Sequence, residues 1–133
     1  MAEFTLSAEW LRQNFNASFE HAFIPSTETT GEGYYLQAVY HMSDWFEAGS
    51  YYSVHYPNVN DKGGSNIQAF GGNSSDAWTK DFAIFTRFDL TDHWLFKLEG
   101  HRMDGTSSVS PWDNSEGQRE KWYLFAAKAT FNF

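Results

Sequence analysis

Eleven titratable side chains recur at alternate positions of segments that read as extended: Glu9, His41, Glu47, His55, Asp81, Arg87, Asp89, Lys97, Glu99, His101 and Lys128. Glu47, Asp81 and Glu99 offer the paired acids that glycoside hydrolysis uses, yet any sheet with an acid at every second position offers such pairs. His41 and His55, on the two strands of one hairpin, resemble half of a metal site, but no carboxylate-histidine spacing completes it. The nucleophile elbow G-x-S-x-G, the zinc motif H-E-x-x-H and the phosphate loop G-x-x-x-x-G-K are all missing. With no cysteine there is no thiolate ligand, thiol nucleophile or disulfide. No catalytic residue, metal or cofactor is therefore expected. The eleven side chains share one parity, so they form a polar wall of mildly negative charge. Fixed charge along a water-filled wall biases passage towards cations or neutral polar solutes; alternatively, the charges only pair across strands.

A period of two runs through the segments that carry these residues. Phe4, Leu6, Ala8 and Trp10 alternate with polar residues over Glu3 to Gln13, and Tyr34, Leu36, Ala38, Tyr40 and Met42 do so over Gly33 to Met42. Phe46 to Tyr56 follows after only Ser43, Asp44 and Trp45, which makes an antiparallel hairpin. Trp78 to Leu90, Trp94 to His101 and Glu120 to Phe133 repeat the pattern, with Thr91, Asp92 and His93 as a second tight turn of similar hydroxyl-Asp design. Residues 57–76, with Pro57 and the doublets Gly63-Gly64 and Gly71-Gly72, read as a long irregular and flexible loop, and 105–119 as another. The fold class is all-β: an up-and-down antiparallel meander of six long strands in one unit, 1–133.

Composition narrows the partners. Nine Lys and Arg against 17 Asp and Glu leave a net charge of −8, which disfavours nucleic acid. Neither a signal-peptide core nor an apolar run of about 18 residues occurs, so no helical span or leader is expected.

Connections alternate long (14–32), short (43–45), long (57–76), short (91–93) and long (105–119). A soluble sandwich has no reason for two such different ends, whereas transmembrane β-barrels combine short periplasmic turns with longer outer loops. Aromatic residues sit where interfacial girdles would lie: Trp10, Tyr34, Tyr56, Trp78 and Tyr123 towards the long loops, Phe46, Phe88, Trp94 and Phe133 towards the turns.

Through Glu32-Gly33-Tyr34-Tyr35-Leu36-Gln37-Ala38, the Ser-Asp-Trp hairpin, Arg87 to Trp94 and the ending Thr130-Phe131-Asn132-Phe133, the chain resembles the C-terminal strands of Gram-negative outer-membrane porins. The resemblance implies a place in the bacterial outer membrane, lipid as a partner, and passive diffusion of small hydrophilic solutes or ions as the task. Phe125, Ala127, Ala129, Phe131 and Phe133 match the alternating signal that the barrel-assembly machinery reads in that family, with Phe131 where Tyr is usual. The Lys and Arg ladder of phosphate-selective relatives is absent, so that selectivity does not carry over. Small barrels begin at about eight strands, so six imply a C-terminal piece that closes with the remainder of a larger barrel, an incomplete reading frame, or a chain that closes only with copies of itself. The competing class is a soluble secreted β-sandwich that binds carbohydrate through its aromatic side chains.

Overall fold

The computed structural model describes residues 2–17, 27–114 and 117–133. Six antiparallel strands run in sequence order in one sheet: β1 (Glu3–Ala17), β2 (Thr27–Ser43), β3 (Phe46–Tyr56), β4 (Thr79–Asp89), β5 (Trp94–Asp104) and β6 (Lys121–Phe131). This is the meander that the alternation predicts. β1 and β6 are its two edges, and the sheet is open.

The register places every apolar parity on one face. Leu6, Ala38, Ser50, Ile84, Gly100 and Phe125 are successive cross-strand partners, and so are Phe4, Tyr40, Ala48, Thr86, Leu98 and Ala127. No second sheet covers this face among the described residues: Ile84 is 59% exposed and Phe125 83%. Its neighbours on β4 point the other way and are shielded, Ala83 at 0% and Phe85 at 6%. Burial on one side of a single layer requires that side to be concave, because curling brings its side chains together and spreads those behind. The polar face is thus the inside of the curl, with Val39 and Met103 also buried there. Val54, buried on the apolar parity beside Tyr34 and Lys80, is the exception at the long-loop end.

Two boundaries differ from the pattern in the sequence. β1 and β2 run past Gln13 and Gly33 to Ala17 and Thr27, so most of the expected loop 14–32 is strand, and 18–26 lies outside the described residues. Alternation fails there because Arg12, Asn14 and Asn16 take the parity of Phe4 to Trp10; main-chain pairing continues regardless, assisted by a 2.9 Å bond from the Thr30 hydroxyl to Asn14. Residues 57–76 are likewise no irregular loop. They hold a 3-10 turn at Val59–Asp61, a short helix α1 (Ser65–Ala69) and a second 3-10 turn at Ser74–Ala77. Gly64 sits at φ 69° where a Cβ would lie 2.2 Å from the Ser74 carbonyl oxygen, so it serves a close approach and not flexibility.

The tight turns are also less alike than their sequences. Thr91 Oγ1 accepts from the main-chain N–H of His93 (3.2 Å) and Trp94 (3.1 Å), which fixes the β4–β5 turn. Between β2 and β3 a bulge at Met42 shifts the register, and the buried Ser43 hydroxyl has no hydrogen-bond partner among the described residues.

Candidate functional site

The polar face is built from ladder rows. Nearest the turns, Glu3, His41, Glu47, Arg87, Lys97 and Lys128 are successive partners across all six strands. Over Glu3, His41, Glu47 and Arg87 acids alternate with basic groups, whereas Arg87, Lys97 and Lys128 are three cations in succession. His41 Nδ1 lies 2.8 Å from Glu47, whose other oxygen is 3.9 Å from Arg87, and Arg87 also binds Asp89 at 3.0 Å. Lys97 pairs with Glu99 at 2.6 Å while its Nζ stands 4.8 Å above the Phe85 ring.

Two same-face rows further from the turns, beyond Gly49, Phe85 and Glu99, Tyr51, Ala83 and His101 share a row. The Ala83 methyl leaves room above it, so Tyr51 and His101 meet edge-on with ring centres 6.0 Å apart. Both converge on the next residue pair, where Tyr51 Oη donates to Asp81 (2.9 Å) and His101 Nδ1 lies 3.0 Å from the same carboxylate. Tyr51, Ala83 and Phe85 have the polar parity in the sequence, but nothing there singles them out, since the part that a tyrosine or an apolar residue plays at such a position shows only once the register is known. Of the residues singled out in the sequence, Glu9, His55 and Lys128 are on this face but take part in no ion pair among the described residues. His41 and His55 do not approach each other: His41 is opposite Glu47 and His55 opposite Gly33, eight ladder positions away or about 27 Å along the strand.

Comparison with protein-family models, curated proteins and solved structures returns no match. What remains is the geometry of the two faces.

On the outer face the rows from Phe46, Phe88 and Phe96 up to Ser50, Ile84, Gly100 and Phe125 hold no charge among the described residues, and Arg102 and Lys80 stand in the next two rows, at the long-loop girdle. On β6 the uncharged stretch extends from Tyr123 to Phe131, where the strand ends, eight residues or about 27 Å along the strand, which a tilt near 40° reduces to about 20 Å. Aromatic side chains mark its lower edge, with Phe46 stacked on Phe88 at 4.9 Å, and Trp94 against both Phe96 (5.9 Å) and Phe131 (4.9 Å). At the upper edge Trp10 pairs with Tyr34, Tyr56 lies under the Lys62 ammonium, and Trp78 donates its Nε1–H to Asp104 at 2.6 Å. No helix among the described residues is long and apolar enough to cross a membrane, which says nothing about strands.

The long connections are tied to each other above this edge. Thr106 Oγ1 donates to Asp76 (2.6 Å), its main-chain N–H to the Ser75 carbonyl (2.8 Å), and Thr79 and Ser107 share a 2.6 Å hydroxyl contact. Within the β3–β4 connection, buried Asp61 accepts from the main-chain N–H of Asn66 (3.1 Å) and Ile67 (3.2 Å) and from the Ser65 hydroxyl (3.1 Å). Burial opposes its charge, but these donors outweigh burial and hold the Asp61 carboxyl below the usual carboxylate range. Because its folded value is depressed, the stabilisation is complete above the unfolded value and is lost as pH falls through the folded one. Acidification to below the usual carboxylate range should therefore release α1, shifting the Asn66 and Ile67 amide resonances together. In Asp61→Asn that step should vanish; a step retained in the variant would assign the release to another group.

Proposed function

We propose that the chain forms a curved wall of an outer-membrane porin through which small hydrophilic solutes or ions diffuse passively. The observation that carries this reading is a single curled sheet whose convex side bears an uncharged, girdled band of about 20 Å, a little under the roughly 25 Å lipid-facing band of such barrels. Its concave side bears paired charges suited to a water-filled lumen. In lipid each main-chain polar group needs a partner, so the free edges of β1 and β6 call for closure by further strands or by copies of the chain. No observation favours the carbohydrate-binding sandwich, which needs a second sheet over the apolar face.

The test is solute entry. The chain, refolded into vesicles, should make them swell in isotonic solutions of small neutral sugars and progressively less as the sugar grows. The double variant Asp81→Asn, Glu99→Gln should move the reversal potential under a salt gradient away from cation preference, because it removes two lumen acids. Inserted β-structure without solute entry would overturn the pore reading, and an unchanged reversal potential would remove those acids from selectivity.

A further inference from the structure

Five of the nine Lys and Arg residues gather on the outer side of the sheet at the long-loop edge: Arg12, Lys62, Lys80, Arg102 and Lys121. Lys80, Asp104 and Lys121 are successive cross-strand partners, and Arg102 is one row below, between Phe82 and Tyr123. Arg12 is opposite Glu32, which Lys62 binds. With Glu32 and Asp104 as its two acids, the belt carries 5 − 2 = +3 on a chain whose net charge is −8. Among the described residues Lys80, Arg102 and Lys121 make no ion pair, whereas Arg87 and Lys97 on the concave face are paired. The one carboxylate in their midst, Asp104, accepts the Trp78 N–H.

Placement along the strand identifies the partner. The belt occupies the rows where the uncharged band ends, and successive same-face rows are about 7 Å apart along a strand. That is the depth of the headgroup zone, which adds about 5 to 8 Å beyond the hydrocarbon on each side. The opposite edge has no counterpart: Phe46, Phe88, Trp94, Phe96 and Phe131 form it without a cation. Tyr123, exposed beside Arg102, adds an amphipathic ring at the same depth.

We propose that Lys80, Arg102 and Lys121, flanked by Arg12 and Lys62, dock the phosphate groups of anionic lipid headgroups in the leaflet on the long-loop side. Unpaired cations at that depth meet phosphate in place of water, and the guanidinium of Arg102 supplies a two-pronged contact. This rests on the membrane reading above.

The experiment compares vesicles of phosphatidylcholine alone with vesicles in which one third of the lipid is phosphatidylglycerol, and reads partition by tryptophan emission and co-sedimentation. Net charge alone predicts repulsion from the anionic vesicles; the belt predicts tighter binding to them. In the neutral triple Lys80→Gln, Arg102→Gln, Lys121→Gln that advantage should fall roughly fivefold per cation, on the order of a hundredfold in all. The charge-keeping triple Lys80→Arg, Arg102→Lys, Lys121→Arg should retain most of it. Inorganic phosphate should compete no better than chloride of equal ionic strength, since the site is for a headgroup held at a surface. Should the neutral triple fail to fold, a salt series on the unaltered chain decides: the advantage must shrink as salt rises. Equal binding to both vesicle types, or an advantage untouched by the neutral triple or by salt, overturns the headgroup assignment while leaving the membrane reading standing. Insertion into neither vesicle overturns both.

Discussion

Replacing Ile84 by lysine should lower the stability of the vesicle-inserted chain by about 1 to 3 kcal/mol, a factor of roughly five to a hundred and fifty in the folded population. Ile84 is one row to the long-loop side of the middle of the uncharged band, between Ser50 on β3 and Gly100 on β5, and 59% of it is exposed. In lipid that exposure faces hydrocarbon, and an ammonium there must stretch towards the headgroups or draw water to itself. In water the same position is a solvated surface, where a lysine changes stability by less than about 0.5 kcal/mol. Urea unfolding from vesicles separates the two. The native Lys80, four residues along the same strand, provides the internal contrast, because at the edge of the band its ammonium stands 5.2 Å over the Trp78 ring and needs no such burial. An unchanged unfolding midpoint for Ile84→Lys would place water, not lipid, against this face.

The strands that the sequence discloses best are those that cross the band. β3, β4 and β5 alternate regularly between an apolar and a polar side, a constraint that slackens at the long-loop end with Lys80, Arg102 and Asp104, and both tight turns are visible as interruptions. Where the chain leaves the band that constraint ends: Arg12, Asn14 and Asn16 invert the pattern, although main-chain pairing continues to Ala17. The β3–β4 connection was opaque for another reason. Asp61, Asn73 and Asp76 have the composition of coil, yet Asp61 caps α1, Asn73 and Asp76 cap the following turn, and Asp76 holds Thr106 from 30 residues away. Composition carries no information about a partner at that distance. The same holds for the lining. Parity located Asp81 and His101, but their convergence with Tyr51 depends on a register set across the connection between β3 and β4.

On the pore reading, the pairing of the polar side chains also constrains how the wall would conduct. His41, Glu47 and Arg87 form a chain of contacts across three strands, and Asp81 is shared by Tyr51 and His101. Such cross-strand pairs fix side chains against the wall and reduce the field that a passing ion meets. Selectivity is then expected to be weak, set by the small excess of acid, and the lining acts chiefly as a wetted surface.

Gly49→Val should destabilise the sheet by about 1 to 3 kcal/mol, because the steric obstruction outweighs valine's better preference for extended backbone. A Cβ at this position would lie 2.5 Å from the Phe85 ring and 2.7 Å from the Ala38 carbonyl oxygen. Phe85 is the direct cross-strand partner of Gly49, so its ring folds back over its own neighbour, and this is how the concave face closes around a side chain only 6% exposed. Valine would have to push the ring into the lumen or part β2 from β3 at Ala38. Phe85→Ala alone, which empties the slot, should cost about 3 kcal/mol. Combined, the two changes should be less harmful than their sum, since valine refills part of the vacated space, but rescue must stay incomplete because the Ala38 carbonyl does not move. Gly63, with nothing within 4 Å of a built Cβ, is the control, and Gly63→Ala should leave the unfolding midpoint where it was. Additive costs in the double variant would mean that Phe85 does not lie across β3, and with it would go the curl that separates a lumen side from a lipid side.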